Sequence, residues 1–287
     1  MRILFSGGSS PVGARVLQVL LEQDPSLEIW CGVHKRAVPL ETSAHHLFPL
    51  DLEAPIDLDM IPEPIDLVVH LGALTHSRDE QKYWTVNQQG TRKLALAARS
   101  RGCKRFVFVS TQCASLGSGA YGESKLAAES ELLKLDWTSL LIIRPADIYG
   151  NRSTEGVDRF IQLAQDWRLV PLLFGHGEIR FAPLHFDDFA HLVVSLILTQ
   201  RPGVQIVHLR GPEEMSGFQL GRRIASRFGA LPLPVWWPAV KLLLNTLHLV
   251  GLYPVTPDQL KRAVGKKCRP TTQEEIPPRA LRRFLDS

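Results

Sequence analysis

The 287-residue chain is 45% hydrophobic and 22% charged, the balance of a globular fold with a buried core. Its net charge of +4 is small and spread along the chain, which excludes the concentrated basic surface of a nucleic-acid binder. The four cysteines, Cys31, Cys103, Cys113 and Cys268, form no CxxC pair and have no metal-ligand spacing; they predict a reducing compartment, the cytoplasm, and no metal centre.

The first residues, Arg2-Ile3-Leu4-Phe5, read as a strand with no basic segment and long apolar run before it, so no signal peptide is expected. No apolar stretch reaches about 18 residues, so no membrane-spanning helix is expected either. The strand runs into Ser6-Gly7-Gly8-Ser9-Ser10-Pro11-Val12-Gly13. Val16, Leu17, Val19 and Leu20 then recur at helical spacing down to Asp24-Pro25. Strand, glycine-rich turn and helix in succession are the context of a dinucleotide phosphate site, the alternative being an ordinary tight turn. Gly7 permits the turn, Ser9 and Ser10 let the backbone approach a pyrophosphate, and Pro11 and Val12 open the helix whose N-terminus faces the anion.

A second strand, Leu27–Val33, ends in His34-Lys35-Arg36. This strand end meets the adenosine ribose in a dinucleotide fold. It carries no acidic residue for the 2′-hydroxyl of NAD, and its cations suit the 2′-phosphate of NADP. NADP is therefore expected before NAD; a solvated basic loop is the alternative. A third strand, His46–Leu50, leads to Asp51 and Leu52, candidate adenine contacts. A fourth, Ile65–Leu71, ends at Gly72-Ala73, small enough for a cofactor to lie across; Leu71 and nearby Thr75 are further candidates for cofactor and substrate. One long helix is predicted from about Asp79 to Arg101, closing at Gly102 and containing Asn87.

The fifth strand, Arg105–Val109, is continuously apolar, as a strand covered on both faces should be, and ends in Ser110-Thr111. The next helix carries Tyr121 and Lys125, four apart and so on one face. Tyr needs about three pKa units of help, roughly 4 kcal/mol, to act as an acid or base near neutral pH, and a cation beside it supplies help of that sign. The pair alone is weak, since many surface helices carry it. A sixth strand, Thr138–Ile143, ends at Arg144-Pro145-Ala146. Six strands alternating with helices predict an α/β doubly wound parallel sheet, with ligands at the carboxyl ends of the strands.

Beyond Gly150 the pattern loosens. Helices are expected at Phe160–Ala164, at Phe186–Ile197 with two acids in its first turn, and at Gly217–Phe228; Gly175-His176-Gly177 reads as a turn and Gln205–Leu209 as a strand. Residues 1–150 read as the dinucleotide-binding domain, with 181–209 returning to it and 151–180 plus 210–287 forming a smaller substrate lobe. The apolar run Leu231–Tyr253 reads as a helix packed on that lobe, as a greasy substrate wall, or as a membrane-surface face anchored by Trp236 and Trp237. Lys261, Arg262, Lys266, Lys267, Arg269, Arg282 and Arg283 form a basic region, either a solvated face or one that meets an anionic substrate or lipid.

In this order the pieces resemble the extended short-chain dehydrogenase/reductase family, over roughly residues 1–200. Ser6–Gly13 is similar to its TGxxGxxG, Val69–Ala73 to its hLAA strand end and Asn87–Thr91 to its NxxGT. Phe108–Thr111 resembles its vSS strand, Tyr121–Lys125 its YxxxK, Arg144–Gly150 its RPxxvyG and His185–Ala190 its hvdDxA. The resemblance implies a Rossmann-like domain and hydride transfer between a nicotinamide and a carbinol carbon. It implies Tyr121 as acid/base, Lys125 as the cation that depresses the tyrosine and holds the nicotinamide ribose, Thr111 on the substrate oxygen, and Asn87 in proton relay. It also implies a homodimer through the helices around Asn87 and Lys125. Three departures stand out. Ser10 replaces the motif's central glycine and could bond phosphate. The segment from Thr111 to Tyr121 is short for an enzyme of nucleotide sugars. Arg180, the nearest candidate to grip a diphosphate, is separated from His185 by Phe181–Leu184. The substrate is therefore left as a sugar nucleotide or an apolar, lipid-linked molecule. A non-catalytic NADP(H)-binding sensor or assembly module is the alternative function.

Overall fold

The computed structural model describes residues 1–36, 38, 45–153, 155–175, 180–240, 242, 246, 258, 261–262 and 281–285. Its first half alternates strand and helix: β1 (Arg2–Ser6), α1 (Pro11–Gln23), β2 (Glu28–Val33), β3 (His45–Pro49), β4 (Leu67–His70), α2 (Gln81–Tyr83), a π-helical segment (Trp84–Gly90), α3 (Thr91–Ser100), β5 (Arg105–Val109), α4 (Ala120–Leu133) and β6 (Ser139–Pro145). Then come β7 (Ile148–Tyr149), α5 (Gly156–Trp167), β8 (Leu169–Phe174), β9 (Arg180–Phe181), β10 (Leu184–His185), α6 (Phe186–Leu198), β11 (Gly203–Leu209), β12 (Met215–Ser216), α7 (Gly217–Phe228) and β13 (Leu231–Trp236).

Seven strands form one sheet in the order β11-β6-β5-β4-β1-β2-β3, every neighbouring pair parallel. Because β1 sits between β2 and β4, the chain leaves it in both directions and opens a crevice between the ends of β1 and β4. This is a doubly wound, Rossmann-like sheet. Alternate side chains of the strands feed two cores, as a sheet covered on both faces requires. Ile3, Phe5, Val69, Val107 and Leu141 pack with Val16, Leu20, Phe189 and Val193 of α1 and α6. Leu4, Val68, Phe106 and Leu140 pack with Leu94, Ala98, Ala128 and Leu132 of α3 and α4. A third cluster gathers Tyr149, Val157, Ala164, Met215, Ile224 and Phe284 beyond the sheet.

Two expectations change. The long helix from Asp79 is interrupted by the π-helical segment, where Asn87 turns inward, 1% exposed. Leu231–Trp236 is a strand, β13, paired in parallel with β8, rather than the start of a helix. Pro232 and Pro234 fall two apart, so both missing N–H groups point away from β8, where an edge strand tolerates them. Past Trp237–Val240, most of the apolar run lies outside the described residues, as do His176-Gly177 and most of the late basic region. No helix of the described residues is long and apolar enough to cross a membrane.

Candidate active site

A cleft of about 1210 Å³ runs along the carboxyl ends of the parallel strands. One end is the turn after β1. Gly7 has φ +89°, and a Cβ there would stand 2.6 Å from the backbone N of Gly72. At Gly13 a Cβ would meet the Gly7 carbonyl at 2.1 Å. The turn is thus backbone packed on backbone, and it presents the N-terminus of α1 to the cleft beside Ser9, Ser10, Pro11 and Val12. No acidic residue occupies the first turn of α1, so its dipole faces the cleft uncancelled, an arrangement that fits a pyrophosphate. The Ser10 hydroxyl is not free to donate to phosphate: Oγ donates to the Gly7 carbonyl at 3.0 Å and accepts from Gly13 N at 3.0 Å. It caps the helix, which is the physical use of serine at this position.

His34, Lys35, Arg36, Asp51 and Leu52 line the same cleft next to this turn, with His34 Nε2 3.4 Å from Asp51 Oδ2. Leu71, Gly72, Ala73 and Thr75 follow at the end of β4. Beneath them His70 is fully buried, its Nδ1 bonded to Ser6 Oγ and its Nε2 to Thr91 Oγ1 at 2.9 Å. Burial, reinforced by the Lys125 charge, pushes this imidazole down to about 3, so it stays neutral and braces the turn.

The other end holds Thr111, Tyr121, Lys125, Pro145 and Ala146. Thr111 stands just past β5 and hydrogen-bonds the phenol of Tyr121, which favours the phenolate. Burial dominates, however, and pushes Tyr121 up to about 12. Lys125 is 1% exposed, and burial pushes its amine down to about 7 against the pull of Glu129. Its Nζ donates to the Val109 carbonyl at 2.8 Å and lies 3.9 Å above the Phe108 ring. Resemblance gave Lys125 the task of depressing the tyrosine, but the cation lying on the Tyr121 ring is Arg262, 4.7 Å from its centroid.

Nineteen of the twenty-one candidate positions therefore line one cleft; Asn87 and Arg180 do not. Asn87 lies behind the wall. It accepts from Leu74 N at 2.8 Å, donates to Leu74 O at 3.0 Å and reaches Ser124 Oγ at 3.2 Å, fixing the loop after β4 to α4. Arg180 is half-exposed and faces Glu214 at 4.0 Å. Sequence reading missed Glu129, four residues past Lys125 on the same face of α4, where it accepts from Ser110 and from Arg144 Nε at 3.0 Å. Following the helix face one more turn would have found it. It also missed Asp258, and it placed Arg262 only in a late basic region, since no periodicity links either residue to Tyr121.

Comparison with known proteins adds to this geometry. The chain is 33% identical over 183 residues to a ceramide reductase of Caulobacter vibrioides, covering 63% of this chain and 53% of that protein. It is 26% identical over 217 residues to a UDP-glucose 4-epimerase of Vibrio cholerae, covering 65% of each. The chain thus spans between about half and two thirds of the length of these relatives. A dTDP-glucose 4,6-dehydratase of Bacillus anthracis, solved in complex with NAD, shares the fold with a TM-score of 0.67 at 16% identity, over 82% of this chain and 84% of that one. The family model for the NAD dependent epimerase/dehydratase family matches residues 3–208, and the chain belongs to that family.

Proposed function

We propose that this protein is an NAD(P)-dependent oxidoreductase or epimerase that moves a hydride at a carbinol or carbonyl carbon, with Tyr121 exchanging the proton at the substrate oxygen. One observation carries the reading: Thr111, Tyr121 and Lys125 meet on the wall of the cleft that the Gly7–Val12 turn opens at its other end. A nicotinamide cofactor, when bound, supplies or takes the hydride. The chain's own residues do the rest. The turn and the N-terminus of α1 hold the pyrophosphate, and Gly72 and Ala73 leave room for the cofactor to cross the strand ends. Thr111 orients the substrate oxygen beside the Tyr121 phenol. That phenol stays protonated up to about pH 12, which suits donation to a carbonyl oxygen as it is reduced. Lys125, on the same cleft wall and titrating near neutrality, adds a cation to the site below about pH 7.

NADP is the preferred cofactor in this reading, because His34, Lys35 and Arg36 line the adenosine end of the cleft. The NAD-bound structural neighbour makes NAD the competing choice. Tighter binding of NADPH than NADH is expected by fluorescence titration; equal affinities or an NADH preference would reduce the three cations to a solvated loop. For the substrate, Phe160, Phe181 and Trp237 on the cleft wall support an apolar or lipid-linked carbonyl compound. Lys82, Arg152 and Arg159 on the same wall support a sugar nucleotide. Incubation with NADPH and a carbonyl panel spanning long-chain ketones and keto-sugar nucleotides should give turnover in one class. NADPH binding with no turnover anywhere would favour the non-catalytic module. A cytoplasmic homodimer belongs to the same proposal, and sedimentation of the purified chain checks its stoichiometry. Peripheral membrane contact is checked by flotation with anionic vesicles.

A further inference from the structure

Three separate parts of the chain converge on Tyr121. Its ring meets Tyr83 edge-on at 6.1 Å between centroids and carries the guanidinium of Arg262 on one face. Arg262 Nε lies 2.9 Å from Asp258 Oδ2, and its Nη1 lies 3.8 Å from Glu155 Oε2. Asp258, 1% exposed, uses its other oxygen to accept the backbone N–H of Tyr121 at 2.9 Å. It thereby caps α4, whose own flanking residue, Gly119, has no side chain to do so. Gly119 is backed so closely by Asp258 that a Cβ there would stand 2.6 Å from the carboxylate. Asp258 and Arg262 lie beyond residues 3–208, the extent of the family match.

We propose that Arg262 is a positioning residue for Tyr121, its guanidinium held over the phenol ring by Asp258 and Glu155 so that it fixes the ring and stabilises the phenolate. The physics favours this assignment over Lys125. A cation on a ring face gains attraction as the ring becomes an anion. An arginine keeps its charge when buried, whereas Lys125 is a buried amine turned toward the Val109 carbonyl. The charged and titratable groups around the phenol act with stated signs. Arg262 and the Thr111 hydrogen bond favour the phenolate, while Cys113 and Glu155 oppose it. Asp258 is spent on Arg262 and the helix cap, and Glu155 is shared with His76 at 3.0 Å. The fold thus delivers a permanent cation to the tyrosine from outside the nucleotide-binding half.

The inference rests on Tyr121 being the proton-transfer group, and its test needs no substrate. The full chain is made with 3,5-difluorotyrosine, which brings phenol titration down into the pH range the fold tolerates, and is followed by fluorine NMR. Tyr121→Phe identifies the Tyr121 resonance. Arg262→Gln is expected to raise the Tyr121 midpoint by about one unit or more, Arg262→Lys to restore most of it, and Glu155→Gln to lower it. Opposite signs from two partners of one ion pair are the readout that loosened packing alone cannot give. Should Arg262→Gln fail to fold, Arg262→Lys and Glu155→Gln still decide. An unmoved midpoint, or shifts of one sign for Arg262→Gln and Glu155→Gln, would overturn the inference. Shifts as expected in a protein that turns over no carbonyl compound would instead leave it standing and remove the enzymatic reading.

Discussion

At Tyr121 and Lys125 burial opposes charge on both groups: the phenol is pushed up to about 12 and the amine down to about 7. Reduction of a carbonyl needs the phenol protonated and benefits from a charged lysine. The first holds below about pH 12 and the second only below about pH 7. We therefore predict that the reductive rate falls as pH rises through about 7, and that Lys125→Met lowers the rate and flattens this limb in a pH–kcat profile. Gly13 makes a steric prediction. Its Cβ would overlap the Gly7 carbonyl, so Gly13→Ala must reopen the phosphate turn at about 1–3 kcal/mol. Calorimetric titration should show cofactor affinity reduced about tenfold or more. At this scale the sequence was most legible where chemistry is local. The glycine turn and the Tyr–Lys spacing are readable because neighbours in sequence are neighbours in space. The Ser10 hydroxyl looked like a phosphate ligand only because a free side chain and a helix cap are the same letters.

Among the elements, α6 shows how charge ties the molecule together. Asp187 in its first turn accepts from Arg15 Nε of α1 at 2.7 Å and pairs with Arg282 near the C-terminus. Burial works against the carboxylate, but the Arg15 hydrogen bond and the two guanidinium charges hold it below the usual carboxylate range. Its contribution is complete above that range and is lost as pH falls through the depressed value. Asp187→Asn should cost about 2 kcal/mol in urea unfolding at neutral pH, and progressively less in acid. Asn87→Ala should cost about 1–3 kcal/mol, because it strands the N–H and C=O of Leu74. The widened turn that aims Asn87 inward was not legible, since 84–90 keeps an ordinary helical pattern and only tertiary bonding selects the wider coil. The pairing of β13 with β8 was hidden for another reason. The run from Leu231 reads as apolar helix or wall until a parallel partner shows that the spacing of Pro232 and Pro234 matches the pleat.

For the whole molecule, the order of seven strands follows from rules a sequence can carry: buried parallel strands, intervening helices and one reversal beside β1. That reversal decides where the cleft lies, so nineteen candidate residues scattered from Gly7 to Ala146 could be gathered from the sequence. Arg262 could not, because nothing in its own neighbourhood points 141 residues back to Tyr121. In that cleft, as proposed above, a hydride moves with Tyr121 as the proton-transfer group. The most direct measurement compares wild type and Tyr121→Phe for NADPH consumption on the carbonyl panel, with NADPH affinity measured on the same samples. Turnover is expected to fall about a hundredfold or more with affinity nearly unchanged; full activity in Tyr121→Phe would remove Tyr121 from the chemistry.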